Sequence, residues 1–339
     1  MCLPIRDAVK TSILSSKWRH RWLTIPKLVF DDCFCTKGLE ENPSSNERAF
    51  QTIYEILLDH NMPIHKLGSS FPGLKICPEI NHVISFVSKN NMQEFSHHIR
   101  EGQSHNLPSS LFSCPQLRCL ELSYCVFNLP PAFKGFRSLI GTKRTPNLAS
   151  VTMEVYDTGL DSVKQNDMTG VLACMPMIEH LSLNSILTVV IADQVPERLL
   201  ATLDCLKSLV FFDTCFKSIE ELTRVFCLIR SASNLQKIQI WVHDDKAAYV
   251  DPVLEYLTAE DFSDISLNYV QEVEMFKVEG IKPELEFIKL ILEKSPLLQM
   301  VHIKPTKAVL LLDEKNFLIE LIQFPRASPR TKIIYLAPV

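Results

Sequence analysis

A nine-residue frame recurs along most of this chain, and it limits the fold more than any other feature. In Ser295 to Ile303, SPLLQMVHI, apolar residues stand at the fourth, seventh and ninth places: Leu298, Val301 and Ile303. Written as x-P-x-L-x-x-L-x-L, with Pro optional and any apolar residue allowed, the frame occurs as KNNMQEFSH from Lys89, CPQLRCLEL from Cys114, TPNLASVTM from Thr145 and MPMIEHLSL from Met175. It continues as LDCLKSLVF from Leu203, ASNLQKIQI from Ala232, LNYVQEVEM from Leu267 and SPRTKIIYL from Ser328, with successive starts 25 to 35 residues apart. Alternate side chains of a strand point to the same face, so Leu120 and Leu122 face one way with Leu117 leading in.

Helical stripes lie between the frames. Ser218-x-x-Glu221 predicts a capped helix with Ile219, Leu222, Val225, Phe226 and Ile229 inward. Pro283 opens another, carrying Leu285, Ile288, Ile291 and Leu292, and Phe317, Leu318, Leu321 and Ile322 form the last. Upstream, Leu28 to Asp31 reads as a short strand. The capping pattern Ser44 to Glu47 opens a helix to about His60, with Phe50, Ile53, Tyr54, Leu57 and Leu58 as its stripe. A strand joined to a helix at a period near thirty is the signature of an irregular leucine-rich repeat. The predicted fold class is therefore α/β: a leucine-rich-repeat solenoid with one curved, mainly parallel sheet. No unit buries its own apolar side, and stacking does so for all.

Composition narrows the function classes. The 339 residues are 46% apolar and 22% charged, which excludes a disordered chain. A net charge of −4 argues against nucleic acid or an acidic membrane surface as partner. No apolar run approaches the ~20 residues of a membrane span, and MCLPIRDAVK lacks the apolar stretch of a signal peptide. The expectation is an intracellular protein of cytoplasm or nucleus. The eleven cysteines contain no C-x-x-C pair and lie scattered in apolar segments, as reduced structural thiols do.

Met1 to Trp22 has a helical period. Val9 and Ile13 are four apart, as are Leu14, Trp18 and Trp22, which fits two short helices, Arg6 to Leu14 and Ser16 to Leu23. LPIRDAVKTSILSSKWRHRWLTIPKLVFDD, Leu3 to Asp32, resembles the second half of a plant F-box, agreeing at Leu3, Pro4, Arg6, Asp7, Ala8, Val9, Thr11, Ser12, Leu14, Ser15, Trp18, Arg19 and Trp22. The stretch from Asn268 onward, with VQEVEMFKVEGIKPELEFIKLILEKSPLLQMVHI and FLIELIQFPRASPRTKIIYL, resembles the FBD domain of plant F-box/FBD/LRR proteins. Relative to that family the chain lacks the L-P-x-x-[LV]-[IL]-x-x-I-L-x-x-L helix ahead of Leu3. It also lacks about two units near FKGFRSLIG, Phe133 to Gly141, where a tightened turn is expected at Ile140 to Pro146.

The resemblance implies a partial F-box at residues 1–27, a linker strand and helix at 28–75, irregular repeats at 76–266 and FBD-like repeats at 267–339. It implies an F-box subunit of a cullin-RING ubiquitin ligase, in which Leu3, Pro4, Val9, Leu14, Trp18 and Trp22 contact a Skp-type adaptor and the repeat face binds an unknown target protein. The alternative is a truncated LRR/FBD scaffold that binds partners without docking on the ligase. The sequence itself does not identify the target. Candidate contact positions, read as alternating outward, are Arg118, Glu179, Lys207, Gln239 and Gln299.

Catalytic patterns point nowhere. No G-x-S-x-G, H-E-x-x-H, G-x-G-x-x-G or G-x-x-x-x-G-K-[ST] string occurs. His97 and His98 are adjacent and would face opposite ways in a strand. Asp244 and Asp245 beside His243, and Asp31, Asp32 and Cys33, read as loop or turn residues. The expectation is a non-enzymatic protein without metal or cofactor.

Overall fold

The computed structural model describes residues 21–31, 34, 44–71, 79–90, 92–99, 105–107, 111, 114, 116–123, 125–127, 148–154, 172, 175, 177–184, 197–199, 202–243, 251–259, 262–307 and 314–338. The chain forms two compact units, Met1–Asn166 and Asp167–Val339. Leu3, Pro4, Val9, Leu14 and Trp18, with the first expected helix, fall outside the described residues, as do the Phe133 to Gly141 irregularity and Asp244 and Asp245.

In the first unit, β1 (Lys27–Phe30), α1 (Ser44–Asp59), β2 (Lys66–Phe71), α2 (Glu79–Ser88), β3 (Glu94–Ile99), β4 (His105–Leu107), β5 (Cys119–Ser123), β6 (Cys125–Phe127) and β7 (Ser150–Glu154) follow in order. Strands β1, β2, β3, β5 and β7 are successive neighbours, all parallel, and β4 pairs with β6. The frame residues Met92, Phe95, Leu117, Leu120, Leu122, Leu148, Val151 and Met153 are all buried, and Phe50 of α1 stacks on Phe71 at 4.7 Å.

Two local details differ from expectation. Arg21–Thr24 is a 3-10 turn rather than the end of an α-helix, closed by Ile25 N–H to Trp22 O at 3.3 Å. Ile25 precedes Pro26, and the residue before a proline is held out of the helical region, so the turn must stop there. Leu58 is 56% exposed although it lies on the predicted stripe, because the face that α1 turns to the core runs through Ala49, Phe50, Ile53 and Leu57.

In the second unit the order is β8 (His180–Asn184), β9 (Ser208–Thr214), α3 (Ile219–Arg230), β10 (Lys237–Val242), α4 (Asp251–Ala259), β11 (Glu272–Val278), α5 (Lys282–Lys294), β12 (Met300–Pro305), α6 (Glu314–Gln323) and β13 (Lys332–Tyr335). The six strands pair in sequence order, all parallel. This is the α/β leucine-rich-repeat arrangement expected from the frame, strand and helix alternating from β9 onward, with the fourth, seventh and ninth places of the frames from Met175 to Ser295 all buried. Phe287 of α5 meets Phe216 at 5.4 Å and Phe226 of α3 at 5.8 Å, forming an aromatic core behind the strands.

The helices start as their sequences dictate. Ser218 Oγ accepts the Glu221 N–H at 3.3 Å, and Glu221 reaches back to the Cys215 N–H at 2.8 Å. Before α5, Glu284 plays the larger version of the same part. Its carboxylate, wholly buried, accepts N–H groups from Glu279 at 3.0 Å, Gly280 at 2.7 Å and Ile281 at 3.0 Å, which ties the strand-to-helix turn together. Gly280 has φ 79°, where a side chain would be strained.

Three further expectations are corrected. Ile219, predicted inward, is 37% exposed at the first position of α3, and Ile322 of α6 is 71% exposed, because each helix buries a narrower stripe than its apolar residues outline. In the last frame the register is Val301 to Ile333 and Ile303 to Tyr335, so Ile333 and Tyr335 continue the inward series rather than Ile334 and Leu336. The cause is a turn closed by hydroxyls instead of an apolar residue: Ser328 Oγ and Thr331 Oγ1 both donate to Leu298 O, at 2.7 and 3.0 Å.

Candidate functional site

Each frame sorts its polar residues into two rows. In the frames before the last, the fifth place stands immediately before the strand. Its carbonyl accepts two N–H groups from the next repeat, as Lys207 O does from Gln236 at 2.8 Å and Lys237 at 2.9 Å, and as Gln236 O does from Gln271 and Glu272. In the first unit Gln93 O does the same for Arg118 and Cys119. The sixth and eighth places lie on the strand itself, facing away from the buried seventh and ninth.

That sorting divides the five predicted contact residues. Arg118, Glu179, Lys207 and Gln299 occupy the fifth place, at the strand starts, while Gln239 alone stands on the open strand face, midway along β10. Lys207 and Glu179, on adjacent repeats, form an exposed ion pair at 2.8 Å, which holds the Glu179 carboxyl below its usual pKa. Gln299 lines a cleft of about 610 Å³ together with Leu297, Met300, Arg330 and Lys332. Of the predicted adaptor contacts only Trp22 is described, half-buried in its 3-10 turn.

On the open face of the second unit, Lys237 Nζ lies 3.2 Å from Glu272 and 2.9 Å from Glu274 on the neighbouring strand, and His302 of β12 is 3.7 Å from Glu274. Burial opposes the Lys237 charge, but hydrogen bonds to Glu274 and Glu272 outweigh it and raise its pKa. Glu272, Glu274 and His302 have the donor types of a cation site. The Lys237 ammonium already supplies the positive charge there. Sequence reading missed this cluster because its members belong to three repeats; the one available signal is that all four stand at sixth or eighth places.

The first unit has a comparable face. Lys66 pairs with Glu94 at 2.9 Å, and His98 reaches Glu121 at 3.5 Å and Ser123 Oγ at 3.1 Å. The hydrogen bond from His98 lowers the Glu121 pKa. His97 turns the opposite way into the core, as strand alternation requires. Asp31 forms the expected turn, accepting the Phe34 N–H through its carbonyl at 2.9 Å and through Oδ1 at 3.0 Å.

The arrangement in each unit is a run of paired acids, bases and hydroxyls along the open strand face, the His98–Ser123 contact among them. What it offers is a broad polar face built from consecutive strands, the surface type through which repeat proteins bind other macromolecules. No protein-family profile matches the chain. Its sequence is 27% identical to an Arabidopsis thaliana F-box/FBD/LRR-repeat protein over 98% of this chain and 94% of that one. The chain is similar to plant F-box/FBD/LRR-repeat proteins. An Arabidopsis thaliana F-box/LRR-repeat protein is 27% identical over 54% of this chain and 45% of its own length, and a second F-box/FBD/LRR-repeat protein 28% over 38% and 30%. The first alignment runs over 400 positions against 339 residues here, so that F-box/FBD/LRR relative carries residues this chain does not. Among the described residues no helix is long and apolar enough to cross a membrane.

Proposed function

We propose that this chain is the target-recognition subunit of a cullin-RING ubiquitin ligase, a non-catalytic protein of the cytoplasm or nucleus. Residues 1–27 dock on a Skp-type adaptor through Leu3, Pro4, Val9, Leu14, Trp18 and Trp22. The strand faces of residues 76–266 and of the FBD-like 267–339 hold the target, with residues 28–75 as the linker. The observation that carries this reading is the near full-length similarity to an F-box/FBD/LRR-repeat protein, to which the open polar strand face adds a surface suited to a protein partner.

The test is a pull-down of a purified plant Skp-type adaptor by the full chain. A stable complex, weakened by Leu14→Ala and Trp18→Ala, is expected. A folded chain that retains no adaptor overturns the ligase reading and leaves a partner-binding LRR/FBD scaffold.

A further inference from the structure

Three aromatic side chains form a row on the open face of the second unit. Phe212 of β9, Trp241 of β10 and Phe276 of β11 lie on successive strands near their carboxyl ends, with Trp241 directly opposite Phe276 in register. The Trp241 and Phe276 rings stack at 4.4 Å and 15°, and Phe212 lies 6.4 Å from Trp241. All three are half-buried, while their inward neighbours Phe211, Ile240 and Met275 already fill the core. A sheet face open to water carries polar residues at such places, as Gln239 and Glu274 do two residues earlier.

The backbone beside this row is unusual. Asp213 follows Phe212 with φ 54°, and Lys277 follows Phe276 with φ 59°, each at the extra residue of a β-bulge against the neighbouring strand. Non-glycine residues rarely adopt that region and hold it only where their surroundings impose it, and bulges re-aim the side chains next to them. β10, which carries Trp241, runs between the two bulged strands.

Lysines carry the charge at the Phe276 end of the row, while Asp213 adjoins Phe212 at the other end. Lys304 of β12 stands directly across from Phe276 on the same open face. Among the described residues neither Lys304 nor Lys277 has a carboxylate partner, whereas Glu274, the acid of the preceding register position, is held by Lys237 and His302. Stacked aromatics next to an unopposed ammonium fit a partner that brings an apolar group and a negative charge side by side.

We propose that this row docks a segment of the target protein, setting an aromatic or aliphatic side chain on Trp241 and Phe276 and an acidic side chain on Lys304. The proposal rests on the reading of the strand face as the target-binding surface and names the chemistry of that target.

A phage library of random dodecapeptides is selected on the full chain, and the enriched phage are measured against Trp241→Ala and Lys304→Glu variants whose folding is checked by circular dichroism. Enriched peptides are expected to place aspartate or glutamate within two positions of an aromatic residue or leucine. Capture falls about tenfold or more with Trp241→Ala, and selection on Lys304→Glu favours basic peptides instead. Lys304 is a half-exposed surface residue, so that variant decides the matter if Trp241→Ala fails to fold. No enrichment, enrichment without acidic bias, capture indifferent to Lys304→Glu, or self-association that covers Trp241 overturns the proposal. Adaptor pull-down on the same proteins separates the two readings, since neither binding event requires the other.

Discussion

Ser69 and His97 meet across the β2–β3 pair with Ser69 Oγ 2.7 Å from His97 Nδ1, and the His97 ring is wholly buried beside Phe50, Phe71 and Phe95. A histidine has taken a ninth place that other repeats give to leucine, isoleucine, methionine or phenylalanine. Ser69→Ala strands a buried ring nitrogen and should cost about 1–3 kcal/mol. The double variant Ser69→Ala/His97→Leu removes both partners and should recover most of that loss. Urea unfolding of the single and double variants measures it, and a double variant no better than the single would refute the pairing as the cause.

Phe287 sits where α5 meets Phe216 and Phe226, with no exposed surface. Truncation to alanine leaves a cavity that these rings cannot fill, at a cost of about 3–5 kcal/mol. Thermal melts should show a clear fall, while Phe287→Leu, which keeps most of the volume, should lose much less.

Burial pushes the Glu284 carboxyl up to about 8, although the N–H groups of Glu279, Ile281 and Gly280 pull the other way. Because the folded value lies above the ordinary 4.5, the folded state binds the proton more tightly than the unfolded chain does. The group's contribution to stability is therefore complete below 4.5 and is lost as pH rises towards about 8. Glu284→Gln should flatten the pH dependence of the melting temperature across that window. Its absolute stability should stay near the parent's at the acidic end, where the parent side chain is itself protonated and one oxygen, Oε2, meets all three N–H groups. Parallel slopes for variant and parent would show that Glu284 does not titrate there.

A Cβ at Gly68 of β2 would stand 2.9 Å from Ser96 Oγ of β3. Because Ser96 Oγ ends a rotatable side chain, Gly68→Ala should destabilise the first unit by only about 1 kcal/mol. Since the obstructing atom is a hydroxyl, Ser96→Ala in the same chain should relieve most of the cost. Chemical denaturation of both variants decides whether that contact is the source.

The inward positions were legible because each depends on its own few residues. Leu120 and Leu122, or Val301 and Ile303, are core by strand alternation wherever the chain places the strand, and Leu117 and Leu298 lead into it from the turn before. The caps at Ser218 and the start at Pro283 are equally local. Ile219, Leu58 and Ile322 were misjudged because an apolar stripe marks what a helix can bury, and the width of the contact is set by the elements packed against it.

By itself, then, the sequence determined the repeat, its strand-and-helix alternation and its family likeness, all carried by spacings of a few residues. Only the tertiary structure decided which polar residues meet. Lys237 lies between Glu272 and Glu274, Trp241 stacks on Phe276, Lys304 closes that row, and the hydroxyls of Ser328 and Thr331 slip the last frame by one. These neighbours lie about one repeat apart along the chain and are brought together by backbone register between parallel strands. One residue gained at a bulge or lost in a turn resets every pairing beyond it.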